Sequence, residues 1–472
     1  MKWLFLVNDN KYLMGFLGRL AHQVVSEGDE CLVVINSKIV EYEKKSLFPE
    51  DAKFISKVDW LADNYKKGEK EFGDLSWREI FLYKVLDINY DYFLKLASQL
   101  YQFFSFIFKE EKPDVVISEP PAGLFHQVVW LFCKKNSVPY LALGSSKFSD
   151  RIDIYDEDFT SSKYEETFSS LGAGGFGAGE EKFAKDFADN FISHKSLPSY
   201  MGLAKIHVSQ VGIIAHFFRR IGEAGPSLLQ YLKRRKYFKD FDYESEAILK
   251  SVPMAFWKTE KRKFRIFLQN RIFKDLNGDK DFFLFPLHFQ PEASTSVYAT
   301  YYCDQLNTIK NIALTLPLPY KLYLKEHPVA VGTRPKSFYN KLKEIPNVVL
   351  ISPYESTEKL IRNSLGVVTL TSTMGMEAAL AGKPVYVLGS VFYSYHPLCR
   401  IVKSFEDLKE KIKRDLVNKP DIRDLENINN RFIISYYRNT TKGDILSVGE
   451  KDDANDYKLI FQDLRKAAAK KS

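Results

Sequence analysis

Residues 364–388 confine this chain to a narrow set of folds. Val367-Val368-Thr369-Leu370 is a short β-branched run fit for a buried parallel strand, and Val385-Tyr386-Val387-Leu388 is a second. Only a tight helical crossover fits between them. Met376 to Leu380 is good helix-forming sequence, and Lys383-Pro384 stops it. The pattern is strand, loop, helix, strand, as in a parallel α/β sheet, where ligands bind outside the carboxyl ends of the strands.

The loop is rich in polar groups. Thr371, Ser372 and Thr373 offer hydroxyls, Gly375 allows a close backbone approach, and the free N–H groups of the helix start favour a phosphate. An ordinary βαβ turn with Ser or Thr as N-cap is the plainer alternative. Glu377, in the first helical turn, either complements the helix dipole or accepts both ribose hydroxyls of a nucleotide.

A second polar group follows Tyr320-Lys321-Leu322-Tyr323-Leu324, an alternating run suited to a strand. There Lys325, Glu326, His327 and Pro328 stand together, and the proline prevents simple continuation of pairing. His327 faces a crevice, where it either donates a proton to a leaving phosphate or, neutral, offers one N–H. The spacing to the hydroxyl-rich turn allows two neighbouring strand ends. Together these features read as a nucleotide-sugar site.

A chain of 472 residues exceeds the growth of one hydrophobic core, and 45% apolar residues are ample for two. Residues 1–165 read as a first Rossmann-like unit, with strands at Leu4–Val7, Cys31–Ile35, Val115–Ile117 and Tyr140–Leu143. Glu119, on a stiff turn before Pro120-Pro121, sits where a base facing an acceptor would lie in such a unit. Asp150 and Asp153, after the next strand, are reserve candidates. The acidic run Asp156-Glu157-Asp158 reads as solvated loop rather than metal site, and no metal or cofactor is expected.

Residues 166–278 read as a glycine-rich loop and a mainly helical linker or insertion. Trp257 to Lys274 carries seven basic residues against Glu260, in a molecule whose net charge is +8. Such a stretch suits either an anionic membrane surface or a solvated helix face. Nucleic acid is not expected, since the charge is local and no recognition motif appears. Residues 279–410 form the second Rossmann-like unit: strand Phe282–Pro286, then a polar loop from which Gln290 and Ser294 reach a donor sugar, then a helix around Val297–Leu314. Phe392-Tyr393 and His396 either cover a nucleotide or pack in the core. Residues 411–472 read as charged helices crossing back to the first unit. Cys31, Cys133, Cys303 and Cys399 are far apart, which indicates neither disulfides nor zinc and fits reducing cytosol. The opening apolar run is too short for a signal sequence, and no run reaches membrane-span length.

Phe285-Pro286-Leu287-His288-Phe289-Gln290-Pro291-Glu292-Ala293-Ser294, Lys325-Glu326-His327-Pro328, Thr371 to Ala378, Gly382-Lys383-Pro384-Val385 and Gly389 with Phe392-Tyr393 together resemble the bacterial capsule polysaccharide biosynthesis proteins, a family that includes the β-Kdo transferases. The likeness covers about residues 281 to 400. It implies an inverting GT-B glycosyltransferase with two facing Rossmann-like domains and the donor in the C-terminal one. It further implies that His327-Pro328 and Ser372-Thr373 hold a CMP-linked acidic sugar, to be transferred to a glycan or glycolipid acceptor. The family's acidic base motif has no clear counterpart, so Glu119 rests on position alone. A CDP- or UDP-linked donor, or a non-catalytic assembly subunit, are the other readings.

Overall fold

The computed structural model describes the chain apart from residues 66–70, 78–89, 122, 156–161, 173–174, 194–228, 230, 240–241, 247, 250–260, 263–264, 267–271, 291, 328–329, 447–455 and 470–472. Two compact units result. The first collects Met1–Glu157, Lys205–Thr259 and Thr441–Ser472; the second collects Asp158–Ala204 and Glu260–Thr440.

In the first unit the strands are β1 (Lys2–Val7), β2 (Glu30–Ile35), β3 (Lys53–Ser56), β4 (Val115–Ser118), β5 (Tyr140–Ser145) and β6 (Arg151–Tyr155). In the second they are β7 (Phe282–Pro286), β8 (Leu322–Lys325), β9 (Val348–Ile351), β10 (Ser364–Thr369), β11 (Val385–Val387) and β12 (Cys399–Ile401); β13 (Thr441–Lys442) returns to the first. Their spatial orders are β13-β6-β5-β4-β1-β2-β3 and β12-β11-β10-β7-β8-β9. Each sheet therefore grows outward both ways from its first strand. That is the doubly wound order, in which the crevice opens where the winding reverses: between β1 and β4 in one unit, between β7 and β10 in the other. All pairings are parallel except those of β6 with β5 and β13. Both units are Rossmann-like.

The apolar runs explain the central strands. Phe5 and Val7 of β1 are fully buried against Phe16, Leu17 and Leu20 of the helix Lys11–Ser26. The last helix, Tyr457–Ala469, packs on the same side, with Phe461 5.1 Å from Trp3 and Tyr457 5.3 Å from Phe16, ring to ring. Asp29 ties this closure down, accepting from Trp3 Nε1 at 2.7 Å and Arg465 at 2.9 Å. Thr441–Ser472 belongs to the first unit, while residues 411–440 stay with the second. In the second unit, Ser162–Ser170 and Ala178–Ile192 pack on the helix Leu425–Arg438, where Arg438 pairs with Glu180 and Lys185 with Glu426.

Two expectations are corrected. The helix expected around Val297–Leu314 is broken into a short turn at Ala293–Ser296, a tight turn at Thr300–Tyr302 and a helix at Gln305–Thr315. Asp304 causes the break by capping the last, its carboxylate accepting from the Asn307 amide at 3.1 Å. The strand ends bearing His327 and Thr371 are not neighbours either: β7 lies between β8 and β10. No helix among the described residues is long and apolar enough to cross a membrane. The acidic run 156–158 and most of the basic stretch 257–274 lie outside the described residues.

Candidate functional site

At the second unit's switch point, His288 stands two residues past β7 and reaches across to the loop after β10. Its Nε2 accepts the Thr371 amide at 3.1 Å, so the ring carries its proton on Nδ1. Burial, with Arg334 and His327 nearby, pushes its pKa down to about 3, which keeps it neutral. Gln305 pins the His288 backbone from both sides, its Oε1 accepting the amide at 2.8 Å and its Nε2 donating to the carbonyl at 2.9 Å. The same Nε2 donates to Gln290 Oε1 at 2.5 Å, and Gln290 donates on to the Cys303 carbonyl. Gln290 is therefore part of the scaffold behind the loop. The Ser294 carbonyl accepts from the Thr371 hydroxyl at 2.9 Å, which fixes the loop's other edge.

The hydroxyl-rich turn sorts its own groups. The Ser372 amide donates to Thr369 Oγ1, and the Ser372 hydroxyl caps the helix Thr373–Leu380 by accepting the Met374 amide at 3.2 Å. The Gly375 amide returns to the Ser372 carbonyl. What is left is Thr373: among the described residues, neither its amide nor its hydroxyl is taken. Gly375 has a different purpose from the one its sequence implied. A Cβ there would stand 2.4 Å from Tyr393 Oη, which donates to the Ser372 carbonyl at 2.5 Å. The missing side chain makes room for a buried tyrosine that braces the turn, not for a ligand.

At the end of β8 three adjacent residues diverge. Lys325 turns inward, donating to the carbonyls of Pro353 at 2.8 Å and Glu355 at 3.0 Å; burial lowers its pKa to about 8 against the pull of Glu377 and Glu355. Glu377 is itself buried. Glu326 is fully buried and holds Arg334 Nε at 3.0 Å, Tyr339 Oη at 2.6 Å and the His327 amide at 2.7 Å. Arg334 also donates to the His288 carbonyl, so one carboxylate joins the ends of β7 and β8. His327 stays open to solvent, yet partial burial, helped by Lys325 and Arg334 and opposed by Glu326, lowers its pKa. At neutral pH its ring is the neutral imidazole. Pro328 lies outside the described residues. Phe392 packs against Tyr436 and Tyr164, and buried His396 against Phe432 and Asn429, so both serve the core.

At the first unit's switch point a carboxylate is held by amides. Glu119, one residue past β4, accepts from Asn8 Nδ2 at 2.5 Å on one oxygen and from Asn10 Nδ2 at 2.8 Å on the other. Asn8 stands one residue past β1 and also donates to Nε2 of buried His126, at 3.2 Å. Burial lowers the His126 pKa despite Glu119 and Asp9, so the imidazole is a neutral acceptor. Asn10 meanwhile caps the helix Lys11–Ser26 through its Oδ1. Asp150 is exposed on the turn before β6, and its carbonyl accepts the Gly443 amide at 2.9 Å. Asp153 is fully buried within β6. Neither stands at the crevice between β1 and β4.

Residues 241–423 match the family described as capsule polysaccharide biosynthesis protein. The matched segment spans the second unit's switch point, including His288, Glu326, His327 and the turn at Ser372. No curated protein matches the chain. Among solved structures, it is similar to the Thermosulfurimonas dismutans KpsC, beta Kdo 2,4 transferase, at 14% identity over 68% of this chain and 79% of that one, with a TM-score of 0.34. The S. aureus MnaA-UDP co-structure is similar at 12% identity over 93% and 94%, with a TM-score of 0.27. Methanocaldococcus jannaschii UDP-GlcNAc 2-epimerase, in complex with UDP-GlcNAc and UDP, aligns at 12% identity over 99% and 100%, with a TM-score of 0.28. His288, Arg334 and Tyr393 are members of this switch-point network to which the sequence alone assigned no such role. For His288 a signal existed, since it stands two residues past its strand just as His327 does.

Proposed function

We propose that the protein is an inverting glycosyltransferase of capsule or other surface polysaccharide synthesis. The observation that carries this is the uncommitted Thr373 amide and hydroxyl at a helix start, at a doubly wound switch point within the capsule family segment. A helix start offering N–H groups favours the phosphate of a nucleotide. His327 adds a neutral N–H donor, and Glu326 with Arg334 fixes the backbone from which it projects. The donor in this reading is a CMP-linked acidic sugar of the Kdo type, and the acceptor is a growing or lipid-linked glycan at the cytoplasmic face of the membrane.

In the reaction an acceptor hydroxyl oxygen attacks the anomeric carbon from the face opposite the phosphate. The bond from that carbon to the phosphate oxygen breaks, its electron pair stays on the oxygen, and configuration inverts. Glu119 takes the acceptor proton; Asn8 and Asn10 hold its carboxylate in one orientation. Donors at Thr373 and His327 meet the charge that grows on the departing phosphate, and the scheme needs no metal.

Calorimetric titration with CMP, CDP, UDP and GDP tests this reading. CMP binding that weakens about tenfold or more in Thr373→Ala is the expected result. Preference for UDP or CDP would replace the donor assignment with an epimerase or polyol-phosphate reading, and binding of none would leave a non-catalytic assembly subunit.

A further inference from the structure

The first unit contains a cavity of about 150 Å³, lined by Tyr92, Lys95, Gln99, Phe238, Tyr243 and Glu246 among others. Two helical segments wall it. Tyr92, Lys95 and Gln99 recur at three- and four-residue steps on one face of the helix Tyr90–Phe106, and Asp242, Tyr243 and Glu246 face them. The second wall is anchored at the carboxyl ends of the sheet. Asp242 accepts the Lys38 amide just past β2 at 2.8 Å, and Glu244 pairs with fully buried Lys57 just past β3. The cavity therefore opens on the same end of the sheet as Glu119.

One lining group points to a ligand. Gln99 is 4% exposed, yet its Nε2 has no hydrogen-bond partner, and an amide left buried and unpaired costs about 1–3 kcal/mol. The remaining lining sets the chemistry. Glu246 only accepts, and one of its oxygens takes the Tyr92 hydroxyl at 3.3 Å; the Lys95 ammonium only donates, and the Gln99 amide does both. The tyrosine rings, 5.6 Å apart, add apolar faces, and burial with neighbouring carboxylates holds the Tyr243 hydroxyl protonated by pushing its pKa up to about 12. Mixed donors and acceptors beside aromatic rings match an uncharged polyol ring. An anionic ligand meets Glu246 and Asp242 against Lys95 alone, and an apolar one leaves the Gln99 amide orphaned.

We infer that this cavity is a binding subsite for an uncharged pyranose ring, such as a neutral hexose or N-acetylhexosamine residue of the acceptor glycan. As an acceptor subsite it rests on the glycosyltransferase reading; as a binding site it does not. The test is saturation-transfer NMR on the full-length protein with methyl hexosides, methyl N-acetylhexosaminides and methyl glucuronide, on the native chain and on Gln99→Leu and Glu246→Gln. Neutral glycosides should bind, the glucuronide about tenfold more weakly or worse, and Gln99→Leu should lose about tenfold in affinity at unchanged nucleotide binding. Glycosides that fail to bind, that bind no better than the glucuronide, or that are indifferent to both substitutions overturn the subsite and show that water alone serves Gln99. Nucleotide titration on the same samples keeps the two ideas apart. Its failure sinks the transferase reading, while glycoside failure with nucleotide binding intact sinks only the subsite.

Discussion

The two switch points have the same topology and opposite economies of hydrogen bonding. Between β1 and β4, the polar side chains converge on one carboxylate: Asn8 and Asn10 both donate to Glu119, and His126 takes the remaining Asn8 hydrogen. Between β7 and β10 they converge on the backbone, holding the His288 carbonyl, the Thr371 amide and the Ser372 carbonyl, while Thr373 stays open. A crevice that invests its donors in one acidic group is built to present that group. A crevice that invests them in its own framework and leaves helix-start N–H groups without a protein partner among the described residues suits an anion. In the proposed reading, the same strand order serves a proton acceptor in one unit and a phosphate seat in the other.

The largest expected effect breaks that division at its acidic end. Glu119→Gln should lower turnover by about a thousandfold while nucleotide affinity stays within error, because general-base catalysis is typically worth 10²–10⁴. Steady-state kinetics beside calorimetry checks this; retention of turnover would hand the role to another group. Next comes Glu326→Ala, which strands the partly buried Arg334 guanidinium without its carboxylate. Breaking a buried pair costs about 3–5 kcal/mol, so the second unit should unfold at markedly lower denaturant, with nucleotide binding falling alongside. A midpoint unchanged from the native chain would mean that Glu326 does not organise the site.

His327→Ala should lower turnover on the order of a hundredfold, the usual worth of one pre-organised donor, with a smaller change in nucleotide affinity. Its pH dependence sharpens the point. Since the folded pKa lies below the ordinary 6.5, the neutral N–H form persists into mild acid, and the His327 contribution should stay level as pH rises through 6.5. If turnover instead collapses as pH rises through 6.5, in the native chain but not in His327→Ala, the histidine acts as a proton donor.

How much of this was legible in the sequence follows the same division. Central strands such as β1, β4, β7 and β10 were readable because burial on both faces writes continuous apolar runs. The edge strand β3, Lys-Phe-Ile-Ser with a half-buried interior, writes no such run, and antiparallel β6, Arg-Ile-Asp-Ile-Tyr, is only five residues long with two charged residues in it. Glu119 was readable because prolines flank it at a strand end. Asn8 and Asn10 were not, because asparagine after a strand reads as turn chemistry, and only the parallel contact of β1 with β4 brings them to Glu119. Gly375 was legible as a close approach, but nothing local says that a tyrosine eighteen residues on fills the space.

The smallest expected effect separates Lys325 from the ligand. Sequence proximity groups it with His327, but its ammonium is spent on the Pro353 and Glu355 carbonyls at the back of β8. Its folded pKa of about 8 lies below the unfolded 10.5, so between these values the unfolded chain binds the extra proton and stability rises with pH. Lys325→Met removes that term alone. The unfolding free energy of the native chain should therefore gain on that of Lys325→Met, by on the order of 2 kcal/mol, between pH 8 and pH 10.5. Chemical denaturation of both proteins across this range measures the difference, in which alkaline effects common to the two cancel. A difference that stays flat would place a charged Lys325 in the folded site, free to meet a phosphate; one that rises assigns it to the framework and leaves Thr373 and His327 to receive the anion.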